Sequence, residues 1–163
     1  MEQILQIVHI NFFFVFTNMY SFYSIKEKPQ FRSIVAEHLS KSFELSYDFY
    51  FNNMDKVELY IVLKNDEFIA SFCIEHQKET YLVYLYVVQE YRKKGISKLM
   101  LDYILKLYSK TKLYTLVDKS WLVSTFLLKG FFIDEIIQNN SKTLYYIMSN
   151  DVLSSQSSMP ASM

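Results

Sequence analysis

The sequence is poor in the residues that form disulfides, metal sites and tight turns. Its 163 residues include one cysteine, two glycines, two prolines and three histidines. A single cysteine, Cys73, excludes an internal disulfide framework and fits a reducing compartment, so we expect a cytoplasmic, intracellular protein. Cysteine and histidine are too few for a structural zinc site, and we expect no metal. The formal net charge is zero, which argues against a basic nucleic-acid binder, and no nucleic-acid partner is expected.

Both ends of the chain differ in composition from its middle. Residues 1–18 are an apolar extension containing "INFFFVF", and the first 25 residues carry one formal charge. A membrane span needs about 20 mostly apolar residues, and polar side chains interrupt this run. A buried strand or extra helix is therefore favoured over a membrane anchor or uncleaved signal in residues 1–25, and a translation start at Met19 is the third alternative. Residues 153–163 are small and polar, which predicts a disordered tail.

Residues 19–152 read as one domain in which strand and helix patterns alternate. The order is strand, helices, three strands, helix, strand, helix and two strands, which predicts a mixed α/β sheet. The run "TYLVYLYVV" from Thr80 is typical of a strand buried on both faces. In "ISKLMLDYILKLYSK", from Ile96, apolar residues recur at steps of three and four, which predicts a well-buried helix. The helix in "SWLVSTFLLKG" is expected to have Ser120 as its N-cap and Gly130 just after its end.

The turn "QEYRKKG" leads from the apolar run into the helix at Ile96. The start of a helix leaves about four N–H groups without partners and carries partial positive charge, so it binds anions, and phosphate is the usual ligand. A Cβ at Gly95 would obstruct the approach of a phosphate to the backbone. Arg92, Lys93 and Lys94 add positive charge close by. The alternative is a solvated basic turn in which the glycine merely starts a helix.

The spacing of these residues resembles that of a known family. Arg92-x-x-Gly95-x-Ser97 is similar to the R/Q-x-x-G-x-G/A signature of the GNAT acetyltransferases, and "LYVVQEYRKKGISKLML" looks like the strand, turn and helix around that signature. The second glycine also fits, because "FLLKGFF" resembles the later Y-x-K-x-G-F box of the family, with Gly130 as its glycine. The order of elements matches over about residues 20–149, so the resemblance covers most of the chain.

The resemblance implies a mixed, mostly antiparallel central sheet flanked by helices, with the acetyl-CoA site at the splayed central strands. It implies an acyl-CoA-dependent N-acetyltransferase that moves an acetyl group from acetyl-CoA, its co-substrate, directly to a primary amine of a protein or small molecule. The turn would bind pyrophosphate. The strand end would hydrogen-bond the pantetheine arm and, through an N–H of Tyr86 or Val87, the thioester oxygen. The implied cofactor-binding residues are Leu85, Tyr86, Val87, Arg92, Lys93, Lys94, Gly95, Ile96 and Ser97.

Departures from the family pattern leave the catalytic residues unassigned. Ser97 stands where the family prefers glycine or alanine, and its small side chain should still admit the backbone contact. Phe126 stands where many members have a tyrosine that protonates the CoA thiolate, which phenylalanine cannot do because it has no hydroxyl. Histone-acetylating members carry a glutamate on the buried strand, and its nearest counterpart is Tyr81. A water chain, Tyr84 or Tyr86 are the candidates for proton transfer. The alternative function is a GNAT-like module that binds CoA or a protein partner without catalysis.

The acceptor is expected to be an amine, and its identity stays open. In this family the substrate surface lies between the first helices and the last hairpin, and carboxylates in both regions would attract an amine. These carboxylates are Glu44, Asp48, Asp55, Asp134 and Glu135. The alternative for each is a solvated surface. A protein N-terminus, a lysine, a polyamine and a small drug-like amine all fit this charge.

Three other reactive side chains are expected to have structural roles. His38 on the first helix and His76 at a strand end are interpreted as surface or hydrogen-bonded residues rather than as bases. Cys73 is interpreted as a small buried hydrophobic residue.

Overall fold

The computed structural model describes residues 19–139 and 142–149. The predictions for residues 1–18 and 153–163 lie outside the described residues, and the single domain over residues 19–152 stays a prediction. The described helices and strands are, in chain order, β1 (Ser21–Ser24), α1 (Arg32–Ser42), α2 (Tyr47–Asn53), β2 (Glu58–Lys64), β3 (Glu67–His76), β4 (Thr80–Val87), α3 (Ile96–Leu107), β5 (Leu113–Val117), α4 (Ser120–Leu128), β6 (Phe131–Asn139) and β7 (Lys142–Ser149).

The described strands form one sheet in the order β1-β2-β3-β4-β5-β7-β6. β1 pairs antiparallel with β2, and β7 pairs antiparallel with both β5 and β6. β4 and β5 are parallel, which requires a crossover connection, and α3 supplies it. The predicted fold class, a mixed and mostly antiparallel sheet flanked by helices, is confirmed.

The contacts within the chain define two compact units, and the first consists of residues 19–73 with Tyr84–Tyr91. In this unit α1 packs on α2, and β1 pairs with β2. The turn after β2 contains Asn65 and Asp66, with φ of 50° and 61°, as a two-residue type I′ hairpin turn requires. β2 and β3, which are neighbours in the sheet, are therefore joined by a tight hairpin turn. The core of the unit is apolar and includes Ile25, Val35, Leu39, Leu59, Ile61 and Phe72.

Helix α2 begins at a cap that the sequence pattern did not identify. The Oγ of Ser46 accepts a hydrogen bond from the N–H of Phe49 at 3.2 Å, which satisfies one of the free amides of the first turn. Serine followed by helix-compatible residues is a weak signal, because the same residue types also occur in turns.

The second unit consists of Ile74–Val83 with residues 92–139 and 142–149. Helix α3 buries one face and ends at Leu107, three residues before the end of the predicted segment. Its buried residues are Ile96, Met100, Leu101 and Ile104. Leu107 is exposed, so the prediction that α3 is well buried holds for its first three turns. Helix α4 packs on β5, β6 and β7.

Two local predictions were wrong in detail. The N-cap of α4 is Lys119, because its carbonyl accepts the amides of Leu122 and Val123, and Ser120 is the first helical residue. β4 is not buried along its whole length: Leu82, Tyr86 and Val87 are buried, and the rest are half-buried. Its continuous apolar run therefore reflects aromatic side chains that are partly covered rather than a strand enclosed on both faces.

Candidate active site

The turn before α3 presents an open helix start. Gly95 is the N-cap residue of α3, and its φ of +81° lies in the left-handed region that favours glycine. The first helical hydrogen bond runs from the N–H of Leu99 to the carbonyl of Gly95 at 3.1 Å. The amides of residues 96–98 precede that bond, so they point out of the helix end together with the positive end of its dipole.

A side chain at residue 95 would enter open space. A Cβ added to Gly95 would meet no atom within 4 Å, and Gly95 is exposed. Lys93 also has a left-handed φ, of 60°, and such residues within a turn direct successive amides into one concavity that binds anions. This conformation at Lys93 was not predictable from the residue type, because lysine does not favour it.

The basic side chains of the turn are exposed, and the first residue of α3 is buried. Arg92, Lys93 and Lys94 are exposed, so their charges face solvent. Ile96 is buried at 2% exposure, which fixes the first turn of α3 to the core, and Ser97 is half-buried. The predicted residues 92–97 thus form one basic turn with the glycine at the helix start.

The other three predicted residues form the end of β4 in the first unit. The N–H of Val88 donates to the carbonyl of Ile69 in β3 at 2.9 Å. Because amides alternate in direction along a strand, the N–H of Tyr86 points to the same side as that of Val88, and the N–H of Val87 points away from β3. The prediction named the amides of Tyr86 and Val87, and of these two only the amide of Val87 is not directed at β3. Tyr86 and Val87 are buried.

β4 is interrupted by a residue in an unusual conformation. Tyr84 has a φ of +51°, which is rare for a bulky side chain and marks strain that the surrounding structure must hold. Its ring packs edge-on against Phe43 and Tyr50, with centroid distances of 5.3 Å in both cases. Tyr84 was a candidate for proton transfer in the sequence, but its backbone conformation was not foreseeable, because nothing in the residue type favours a positive φ.

A histidine from α1 is hydrogen-bonded to the end of β4. The Nδ1 of His38 lies 2.9 Å from the hydroxyl of Tyr86, and the tautomer of the imidazole decides which atom donates. Burial lowers the pKa of His38 below its ordinary value, although the carboxylates of Glu37 and Glu90 oppose the shift. His38 is thus hydrogen-bonded, as one of the two expected alternatives had it, and its interpretation as a structural residue rather than a base stays a prediction.

In the second unit, two tyrosines meet across β4 and β5. Tyr81 is the register partner of Tyr114, and their ring centroids are 5.8 Å apart. The same sheet face continues through Leu116, which is 56% exposed, and Phe132, which is 37% exposed. A register shift after Ile133 brings Glu135 onto this face as well. Aromatic, apolar and acidic side chains therefore share one open face.

Two candidates from the sequence are engaged in other contacts. Phe126 is only 1% exposed, and its ring packs edge-on against Phe131 at 5.0 Å, so it is a core residue. The carboxylate of Asp55 accepts two hydrogen bonds from the guanidinium of Arg32, at 2.7 and 3.0 Å, and this lowers the pKa of Asp55. Asp55 is therefore committed to an ion pair within the protein.

Within residues 19–139 and 142–149, no group of three or more histidine, cysteine or carboxylate side chains is arranged to hold a metal ion. None of the helices in that part of the chain has the length and apolar character needed to cross a membrane.

Comparisons with known proteins identify a matching family and similar folds. The model of the acetyltransferase (GNAT) family matches residues 20–121, which is more than half of the chain. Among solved structures, Naa50 of Arabidopsis thaliana in complex with the bisubstrate analogue CoA-Ac-MVNAL is 19% identical, with 81% of this chain and 99% of that chain covered at a TM-score of 0.66. The ribosomal-protein-S18-alanine N-acetyltransferase of Escherichia coli is 14% identical, with coverages of 80% and 93% and a TM-score of 0.66.

A third similar structure is an aminoglycoside 6′-N-acetyltransferase complexed with coenzyme A. It is 12% identical, with 79% of this chain and 96% of that chain covered at a TM-score of 0.66. At these identities the similarity shows a common fold. No curated protein sequence matches the chain.

Proposed function

Because this chain belongs to the acetyltransferase (GNAT) family and transfers an acetyl group from acetyl-CoA to an amine, we propose that residues 92–97 bind the diphosphate of that cofactor. The observation that carries the proposal is the open start of α3. The helix end at Gly95 has no side-chain cap, and a Cβ added to Gly95 would enter open space. The amides of residues 96–98 donate to the phosphate oxygens, and the helix dipole favours their charge.

The exposed basic side chains strengthen this binding. Arg92, Lys93 and Lys94 surround the anion with positive charge, and Arg92 offers the planar, two-pronged donor geometry that matches phosphate oxygens. These side chains act mainly through long-range attraction because they are solvated, so their contribution decreases with ionic strength.

The end of β4 contributes a second set of contacts. We assign the pantetheine arm to the backbone of Leu85, Tyr86 and Val87. The N–H of Val87 points away from β3, and we assign to it a hydrogen bond with the arm or with the thioester oxygen as negative charge develops on that oxygen. The strained backbone of Tyr84 directly precedes this segment, and strain of this kind accumulates where backbone groups must be held for function.

The reaction then needs two proton movements and no covalent enzyme intermediate. The amine nitrogen attacks the thioester carbon, a C–N bond forms, the C–S bond breaks, and the CoA thiolate leaves with the electron pair. We assign removal of the amine proton to a water molecule. Phe126 is buried and has no hydroxyl, so the thiolate leaves as the anion and is protonated by water.

For the acceptor, we favour a protein N-terminus. The open face of Leu116 and Phe132 suits apolar side chains next to the reacting amine, and Glu135 on the same face attracts its positive charge. Naa50 was solved with an analogue that joins CoA to a peptide beginning with methionine and valine, which supports the same choice. A polyamine, by contrast, has no apolar side chains to contact this face.

Thermal unfolding of the full chain with acetyl-CoA, followed by a CoA-release assay with peptides and amines, tests the proposal. At 100 times its dissociation constant a ligand stabilises the folded state by about 2.7 kcal/mol, so a clear shift of Tm is expected, together with CoA release for peptides with apolar first residues. A shift without turnover on any amine would indicate a cofactor-binding module that has lost catalysis. No shift at millimolar acetyl-CoA would contradict the site.

A further inference from the structure

The pair of His38 and Tyr86 joins α1 to the end of β4 through a side-chain hydrogen bond of 2.9 Å. The two residues are 48 positions apart in sequence. The imidazole also lies 5.4 Å from the ring of Phe68 in β3, and the rings of Phe68 and Tyr86 are nearly parallel at 6°. Tyr86 is therefore held on two sides, by an aromatic ring and by a histidine.

We propose that His38 is a positioning residue for acetyl-CoA, because it holds the hydroxyl of Tyr86 and thereby fixes the backbone at the end of β4. The inference rests on the function proposed above, in which the backbone of residues 85–87 binds the pantetheine arm. A side chain anchored at both its ring and its hydroxyl restricts rotation of its own peptide groups, and the amide of Val87 belongs to the peptide that follows Tyr86. A small rotation of that amide would misdirect it, since a hydrogen bond weakens steeply with angle.

The protonation state of the imidazole sets the direction of this hydrogen bond. A neutral imidazole with an unprotonated Nδ1 accepts the O–H of Tyr86, whereas an Nδ1–H, in the other tautomer or in the protonated ring, donates to the hydroxyl oxygen. Burial disfavours the protonated form, and Lys41 on the same helix acts in the same direction. Glu37 on α1 and Glu90 after β4 favour protonation, and Phe68, the neighbour from β3, is uncharged. The hydrogen bond between the two side chains can therefore form in every protonation state, with its direction set by the proton on Nδ1.

The experiment measures binding of two ligands to the full chain by calorimetry. Acetyl-CoA carries the diphosphate and the pantetheine arm, whereas 3′-phospho-ADP carries the same phosphates without the arm. The variants are His38→Ala, His38→Asn, whose amide occupies the place of Nδ1, and Tyr86→Phe, which keeps the ring and loses the hydroxyl. His76→Asn, at an exposed histidine, is the matched control. Tm is recorded for each protein to confirm folding.

We expect Tyr86→Phe to bind acetyl-CoA about five-fold more weakly than the unaltered chain, the factor that one lost hydrogen bond gives, with unchanged affinity for 3′-phospho-ADP. His38→Ala, which removes the partner of the Tyr86 hydroxyl, should show the same loss, whereas His38→Asn should keep most of the affinity because its amide can still hydrogen-bond that hydroxyl. His76→Asn should bind both ligands as the unaltered chain does. The affinity for acetyl-CoA relative to 3′-phospho-ADP is the readout, because it separates the pantetheine arm from the phosphates.

Four results would overturn the inference. If Tyr86→Phe binds acetyl-CoA as tightly as the unaltered chain, or if His38→Ala does, His38 has no positioning role, while the diphosphate site is unaffected. If the variants lose both ligands equally, the effect is a general one on the fold. If the unaltered chain binds neither ligand, the proposed function fails, and the inference fails with it.

Discussion

The ring of Tyr84 meets the ring of Tyr50 edge-on, with 5.3 Å between the centroids and 89° between the planes. Tyr84 has a left-handed backbone in the middle of a strand, and Tyr50 from α2 is buried beside it. Burial raises the pKa of the Tyr50 phenol, so the hydroxyl stays protonated at all ordinary pH values. The contact therefore joins α2 to Tyr84, the residue of β4 that has the strained backbone.

The first prediction concerns Tyr50. Its buried hydroxyl makes no hydrogen bond of ordinary distance and angle among the described residues, although the Tyr84 side chain and the Leu45 backbone lie near enough to affect its pKa. Burial of a poorly paired hydroxyl is unfavourable. Tyr50→Phe should therefore leave the free energy of unfolding unchanged or raise it by up to about 1 kcal/mol. Tyr50→Ala removes the ring that supports Tyr84 and should cost about 3 kcal/mol or more. Urea unfolding measures both. A loss of more than about 1 kcal/mol in Tyr50→Phe would mean that the hydroxyl has a partner.

The second prediction uses the two glycines as a matched pair. Gly95 and Gly130 have φ of 81° and 85°, and an added Cβ meets no atom within 4 Å at either. Gly95→Ala and Gly130→Ala should therefore both lose about 1–2 kcal/mol of stability from the left-handed backbone. Only Gly95→Ala should lose affinity for acetyl-CoA, because its methyl group enters the space of the diphosphate. Equal affinities in the two variants, measured by calorimetry, would exclude a diphosphate at Gly95.

The third prediction concerns Phe126, which stands where the family pattern described above has a tyrosine that donates a proton. Its ring is 1% exposed and packs on Phe131, so a hydroxyl added there is buried. Phe126→Tyr should lower the free energy of unfolding by about 1–3 kcal/mol and leave kcat unchanged. A higher kcat at unchanged stability, in a CoA-release assay, would show that residue 126 reaches the thiolate.

The fourth prediction compares two carboxylates for recognition of the acceptor. Asp55 is paired with Arg32, whereas Glu135 is exposed on the face proposed for the acceptor. Glu135→Gln should raise KM for a peptide amine about two- to five-fold, the size expected for one solvated charge, and the rise should shrink at high salt. Asp55→Asn should leave KM unchanged. The opposite result would place the acceptor near α1 and α2 instead.

The fifth prediction concerns stability and pH. The pKa of His38 is lowered in the folded state, mainly by burial, so the unfolded chain binds more protons than the folded chain between that lowered value and about 6.5. Stability should therefore fall as pH decreases through this range. Unfolding by urea between about pH 7 and about pH 5 should show the fall in the unaltered chain and a smaller one in His38→Asn. An identical pH dependence in both would contradict a buried, neutral His38.

The sequence predicted the features that depend on neighbouring residues. The apolar period of α3, the glycine at its start and Gly130 after α4 are all local patterns, and each is present in the structure. The positive φ of Tyr84 and the pairing of His38 with Tyr86 were not predictable, because each depends on residues distant in the chain. Even the cap of α4 was misplaced by one residue, since serine suits both the N-cap and the first helical position.

A crystal structure with bound acetyl-CoA would show directly whether the diphosphate binds at the start of α3. We expect its oxygens about 3 Å from the amides of residues 96–98, in front of Gly95, with Arg92 beside them. A diphosphate bound elsewhere, or a start of α3 closed by side chains of the protein itself, would contradict the proposed site.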